Sequence, residues 1–189
     1  MPLLAVDPGI HLGYALIPAG EVGVLVLPKD VEGAVRGMME ELRPLLLSST
    51  DLVVEGWQVR GRRPGRDSLV PLALIGALVA LGGKTVPPTW KREFAPKVPG
   101  DFKGVPGLRF PTGLDPTDRG IWLRLYLDGW LPLLDRVRAL PRKHRPHALD
   151  ALGLARYASL LQGKHVEGCF ALRANTFAQA GGWADARAV

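Results

Sequence analysis

LLAVDPGIHLGYALI, residues 3–17, decides how the chain is read. Leu3–Val6 is a short apolar run that ends at Asp7-Pro8-Gly9, and His11–Ile17 is a second strand-like segment. A Pro-Gly pair between two such runs predicts a turn, so the two strands are expected to lie antiparallel. A second turn, Pro18-Ala19-Gly20-Glu21, leads into Val22–Leu27, which is β-branched, apolar and reads as a third strand of the same meander.

Working outward, Val31–Leu47 carries Val31, Val35, Met38, Met39, Leu42 and Leu45 at helical spacing. Leu52–Val54 is a strand ending at Glu55. The order β-β-β-α-β, continued as helix, strand, helix, predicts an α/β fold in which helices pack on a mixed sheet. Leu69–Leu81, LVPLALIGALVAL, has no charged or amide side chain. It is shorter than the roughly 18 residues a membrane span needs. A helix apolar on every side must be buried on every side, so one face is expected on the sheet and the other on an identical subunit. Asp67-Ser68 is expected to cap this helix, with Pro71 in its first turn.

Further along, Lys84–Val86 reads as the last strand and Pro88–Ala95 as a short helix bearing Trp90, Lys91 and Arg92. Val98–Pro116, rich in Pro and Gly, reads as a long loop. Asp118–Leu134 is expected to be one helix with Trp122, Leu125, Tyr126 and Trp130 on its apolar stripe, followed by a basic loop over Arg136–Arg145. Pro146–Leu161 is the last helix expected. The division is therefore a domain over residues 1–162 and a tail or arm over 163–189.

Composition narrows the classes. A chain of 189 residues fits one domain, and 47% apolar with 22% charged residues excludes wholesale disorder. Cys169, the sole cysteine, excludes an intrachain disulfide scaffold, and the lack of Cys/His clusters excludes a structural zinc finger. The opening MPLLAVDPGI has no basic stretch before a long apolar run, so a cytoplasmic location is expected. A net charge of +6 and a pI of about 9.8 favour a polyanionic partner. A single Asn and few Gln and Met fit either heat adaptation or a GC-rich genome.

Four residues are candidates for chemistry. Asp7 and Glu55 stand at strand ends after apolar runs, and His147 and Asp150 share one face of the last helix. Asp150 lies within ALDALGLA, where an unpaired carboxylate is costly. Acids from strand ends and a packed helix can converge, and a cluster of carboxylates needs a cation between them. Oxygen donors favour Mg²⁺ or Mn²⁺. Taken singly, Asp7 also fits a plain turn residue, Glu55 a solvated strand end, and His147 a helix-start residue without a ligand role.

In order and context these segments resemble a known family. LAVDPGIHLGYAL, residues 4–16, resembles the first-strand motif of RuvC-type Holliday junction resolvases of the ribonuclease H-like superfamily. DLVVEGWQ, residues 51–58, resembles the family's glutamate strand, and the apolar helix after it the dimerisation helix. TVPPTWKREF, residues 85–94, and HRPHALDALGLA, residues 144–155, resemble its strand-to-basic-helix and terminal-helix segments. The resemblance implies a ribonuclease H-like mixed five-stranded sheet with helices on both faces. It implies a homodimeric endonuclease that resolves four-way junctions by paired symmetric nicks with two Mg²⁺ or Mn²⁺ ions per site, leaving 5′-phosphate and 3′-hydroxyl ends. The family's site residues fall on Asp7, Glu55, His147 and Asp150 as catalytic residues and metal ligands, Asp7 bridging the two ions. The position of His147 is an aspartate in some members and a histidine in others.

DNA contacts are then expected from Arg60, Arg62, Arg63 and Arg66 after Glu55, from Lys91 and Arg92, and from Arg142, Lys143 and Arg145, with Arg136 and Arg138 in the same basic stretch. Trp57 fits either stacking on an unpaired base or packing in the core. The Pro-rich 98–116 loop and the tail depart from the family pattern and point to a divergent branch, of cellular or phage origin. Competing readings are a general branched-DNA or flap nuclease with the same site, a catalytically silent ribonuclease H-like binding module, and an actin-like kinase. Against the last, a second phosphate-binding hairpin and an adenosine motif are missing.

Overall fold

The computed structural model describes residues 1–57 and 66–163, with backbone alone at 66 and 67. Five strands form one sheet: β1 (Leu3–Asp7), β2 (His11–Ile17), β3 (Glu21–Val26), β4 (Asp51–Glu55) and β5 (Lys84–Val86). Their order is β3-β2-β1-β4-β5. The meander β1-β2-β3 is antiparallel, as its two turns predict. β4 and β5 extend it in parallel on the other side of β1. The expected mixed five-stranded sheet is therefore present, with β3 one residue earlier than its apolar run.

Alternation along the central strands builds two cores, because successive side chains point to opposite faces. Leu4, Val6, Leu52 and Val54 meet α1 (Val31–Ser48) and α2 (Arg66–Ala80) through Met38, Leu42, Leu74 and Leu78. Leu3, Ala5 and Val53 face the opposite layer, made of α3 (Trp90–Phe94), α4 (Pro116–Leu127), α5 (Leu131–Ala139) and α6 (Arg145–Leu161). Helices thus cover both faces. Among the described residues, no helix is long and apolar enough to cross a membrane.

Three local expectations are corrected. The helix expected over Asp118–Leu134 is two helices, α4 and α5, because Gly129 turns the chain at φ +82° and Pro132 enters at the start of α5. Asp115 caps α4 by accepting from the N–H groups of Thr117 and Asp118, so the helix begins before Asp118. The basic loop expected over Arg136–Arg145 is mostly helical. Arg136 and Arg138 close α5, Arg142–His144 form a single 3₁₀ turn, and Arg145 opens α6. Cationic side chains are favoured where α5 ends, because the last carbonyls carry partial negative charge. Finally, Asp67 and Ser68 lie inside α2, which starts at Arg66, and Pro71 is its sixth residue rather than a first-turn residue.

The 98–115 segment has no helix or strand, as expected, yet it is anchored. Arg119 donates to the carbonyls of Val98 and Leu114, and Val98 and Leu114 are buried. Residues 164–189, the expected tail, lie outside the described residues.

The position of α6 depends on a backbone approach at Gly13. A Cβ there would stand 2.0 Å from the His147 carbonyl oxygen, a contact that backbone atoms cannot yield. Gly13→Ala should therefore lower stability by about 2 kcal/mol or more through overpacking. Thermal unfolding followed by circular dichroism checks it; an unchanged melting temperature contradicts this account of how α6 is seated.

Candidate metal centre

Asp7 ends β1 and Glu55 ends β4, two adjacent parallel strands in step from Leu3 opposite Asp51 to Val6 opposite Val54. Odd positions on β1 share the face of Leu3 and Ala5, so Asp7 points toward the α6 layer, and Glu55 does the same beside Val53. α6 packs across this face and carries Asp150. One carboxylate oxygen from each of Asp7, Glu55 and Asp150 lies within 4.8 Å of the others. The convergence expected from sequence is thus present for these three.

Burial sharpens the electrostatics. Glu55 is 8% exposed and Asp150 is 9% exposed. Burial raises the Glu55 carboxyl from 4.5 to about 7, against the pull of the Lys91 ammonium, and the Asp7 charge adds to the rise. Asp150 is pushed upward by burial, opposed by Lys91 and reinforced by Asp7 and Glu55. Two buried oxygens, Glu55 Oε2 and Asp150 Oδ1, have no hydrogen-bond partner among the described residues. Buried carboxylate oxygens without a partner are costly, and a hard divalent cation satisfies them with the oxygen donors it prefers. The residues present therefore fit Mg²⁺ or Mn²⁺.

His147 stands beside Asp7, on the same side of the site. Its Nδ1 lies 3.2 Å from Asp7 Oδ2, and His147 is not part of the three-residue group. Because an ionised carboxylate only accepts, Nδ1 is the donor in this contact. Two residues not anticipated stand beside it. The His11 ring lies 5.6 Å from that of His147 and 5.2 Å from that of His144. Burial, then the neighbouring His147, His144 and Lys143, hold the His11 imidazole below its ordinary value. A weak sequence signal existed for His11: it follows Asp7 by four residues across a tight turn.

The remaining expected residues divide. Trp57 is 44% exposed, which removes the core-packing alternative. It lines a cleft of about 230 Å³ together with Asp7, Pro8, Glu55, Gly56, Ile75 and Pro88. A larger hollow of about 560 Å³ lies at the opposite end of β4, against Asp51 and Leu52, away from the acids. Arg92, Arg142 and Lys143 are exposed. Arg145 instead donates to the carbonyls of Leu140 and Thr112, and Arg136 to that of Gly20. Arg138 donates to Arg109 and lies over Trp122. Lys91 does not project outward; its Nζ is 2.6 Å from Asp150 Oδ2. Arg60, Arg62 and Arg63 lie outside the described residues, as does the Arg66 side chain.

No known protein family profile matches this sequence, and no curated protein matches it. Solved structures do. The chain is similar to Thermus thermophilus RuvC in complex with a Holliday junction substrate, at TM-score 0.54 and 15% identity, over 87% of this chain and 97% of that one. A second T. thermophilus RuvC structure matches at TM-score 0.48 and 17% identity, over 87% and 98%. The fold is RuvC-like, within the ribonuclease H-like class.

Glu55 gives the site a pH signature. The folded chain holds its proton up to about 7, whereas the unfolded chain releases it near 4.5. The native state thus binds the extra proton between these values and loses stability as pH rises through the window, by roughly 3 kcal/mol. In EDTA, Glu55→Gln should remove this loss and melt higher than the unsubstituted protein at pH 8, with the gap closing at pH 4.5. Equal melting temperatures at pH 8 would contradict the raised carboxyl.

Proposed function

We propose that the chain is a structure-selective endodeoxyribonuclease that resolves four-way DNA junctions by paired nicks, using two divalent ions. The observation that carries the reading is the convergence of Asp7, Glu55 and Asp150 in a RuvC-like fold, with buried carboxylate oxygens awaiting a hard cation. That the similar T. thermophilus protein was solved with a Holliday junction supports the choice of substrate.

In this reading, Mg²⁺ or Mn²⁺ supplies an activated water and stabilises the leaving oxygen. Asp7, Glu55 and Asp150 would hold the ions. His147 fixes Asp7 through Nδ1. Exposed Arg92, Arg142 and Lys143 hold phosphates, and the sequence adds Arg60, Arg62, Arg63 and Arg66, whose side chains lie outside the described residues. Trp57, exposed at the rim of the cleft beside Asp7 and Glu55, stacks on a base unpaired at the junction. Arg136, Arg138 and Arg145 act mainly by holding α5, the 98–115 segment and the start of α6 in place.

Paired nicking needs two sites, and α2 offers the surface for a homodimer. Leu74 and Leu78 are fully buried against the sheet, whereas Leu69, Leu72 and Val79 are exposed on the outer face. Leu72→Glu and Val79→Glu place a charge on that outer face without disturbing the core. They should shift the protein from dimer to monomer in sedimentation at micromolar concentration. An unsubstituted protein that is already monomeric would remove the paired mechanism.

The activity itself is read with a labelled four-way junction and matched linear duplex in Mg²⁺, Mn²⁺ or EDTA. Metal-dependent paired nicks confined to the junction are expected; cutting of flaps at the same rate would favour a general branched-DNA nuclease, and no cutting a binding module. Asp7→Asn and Asp150→Asn should slow cleavage by at least about a hundredfold while junction binding persists, because affinity comes from phosphate contacts. His147→Ala should lose most activity and His147→Asp retain more. Equal single-turnover rates for the unsubstituted protein and His147→Ala would remove His147 from the mechanism.

A further inference from the structure

The three acids have a cation of their own. Lys91 reaches from α3 with its Nζ 2.6 Å from Asp150 Oδ2 and 3.5 Å from Glu55 Oε1, its side chain 23% exposed. We propose that Lys91 is a built-in competitor for the metal site: its ammonium holds the two carboxylates that a divalent ion must take, so ion binding requires Lys91 to be displaced. The inference rests on reading Asp7, Glu55 and Asp150 as a metal centre.

Three observations lead here. Lys91 uses one oxygen of each acid, while the other oxygens, Glu55 Oε2 and Asp150 Oδ1, stay without a partner. A single ammonium therefore leaves acceptor capacity that a further cation can satisfy. One ammonium also faces a group of three acids. A divalent ion gains more from the cluster than Lys91 does, and it repels the ammonium once bound. Lastly, lysine suits exchange. Its flexible four-carbon stem can withdraw the ammonium by rotation about side-chain torsions, without a backbone shift. Trp90 and Phe94, buried on either side of it in α3, fix the backbone from which it would swing.

The proposal makes Lys91 an element that keeps the acids compatible with folding and sets the ion affinity, rather than a simple phosphate contact. It is tested by calorimetric titration of the full chain with Mn²⁺, without DNA, for the unsubstituted protein, Lys91→Met and Lys91→Arg, with melting in EDTA alongside. Lys91→Met should bind Mn²⁺ about tenfold more tightly or better, as expected when a competing like charge is removed. It should also melt lower in EDTA. Lys91→Arg, which keeps the charge, should stay near the unsubstituted affinity. Equal or weaker Mn²⁺ binding by Lys91→Met overturns the proposal. If Lys91→Met does not fold, the unsubstituted protein crystallised with Mn²⁺ decides: Lys91 Nζ beyond hydrogen-bond distance of Asp150 supports it, and a retained contact overturns it. Absence of Mn²⁺ binding in every form, matching an Asp7→Asn control, would overturn the metal-centre reading as well. Binding that is present but indifferent to Lys91 would overturn this inference alone.

Discussion

Three carboxylates held within 4.8 Å of one another, two of them at least nine-tenths buried, form the constraint around which this molecule is arranged. Desolvation penalises each charge and mutual repulsion penalises the set. A chain that places acids there must supply positive charge nearby or let protons stay on. Both responses are present: Lys91 lies on Asp150 and Glu55, and the Glu55 carboxyl is pushed up to about 7. A cluster of this kind is poor at stabilising a fold and well suited to holding a divalent cation.

The scaffold brings the acids together through close backbone packing. β1 and β4 run parallel and end side by side, which gives Asp7 and Glu55 a common level and face. Asp150 reaches that level only because α6 lies tight on β2 at Gly13 and tight on Trp90 and Ile121 at Gly153. Arg156 then ties α6 to the α4–α5 corner, bonding Asp128 at 2.8 Å and lying over Trp130. The same packing that buries the acids sets their spacing, so stability and site geometry share residues.

Apart from those paired with carboxylates, such as Lys91 and Arg156, several basic residues separate into two kinds once their partners are known. Arg119, Arg136, Arg138 and Arg145 donate to backbone carbonyls and hold loops or helix ends. Arg92, Arg142 and Lys143 are exposed. Guanidinium groups with several donors are well suited to gathering carbonyls of irregular chain, which explains why a Pro-rich segment over 98–115 can remain ordered without regular structure. Net charge therefore overstates the surface available to a polyanion.

Much of this was legible in the sequence. The Asp7-Pro8-Gly9 turn between apolar runs set the meander, the alternation of buried residues set the strands, and acids embedded in apolar contexts marked Asp7, Glu55 and Asp150, because local patterning and the cost of burying charge act through residues close in sequence. The split of α4 from α5 was also written locally, in Gly129 and Pro132, but the continuous apolar stripe across Trp122 to Trp130 masked it. Other features were set only by the tertiary structure. Which face of α2 is buried depends on the sheet beneath it, since the helix is apolar all round. Lys91 sits 59 residues from Asp150, and its pairing arises when α3 and α6 pack on the same end of the sheet. His147 is joined to Asp7 across 140 residues by the approach of α6 to Gly13, a hydrogen bond set by a distance that no local pattern encodes.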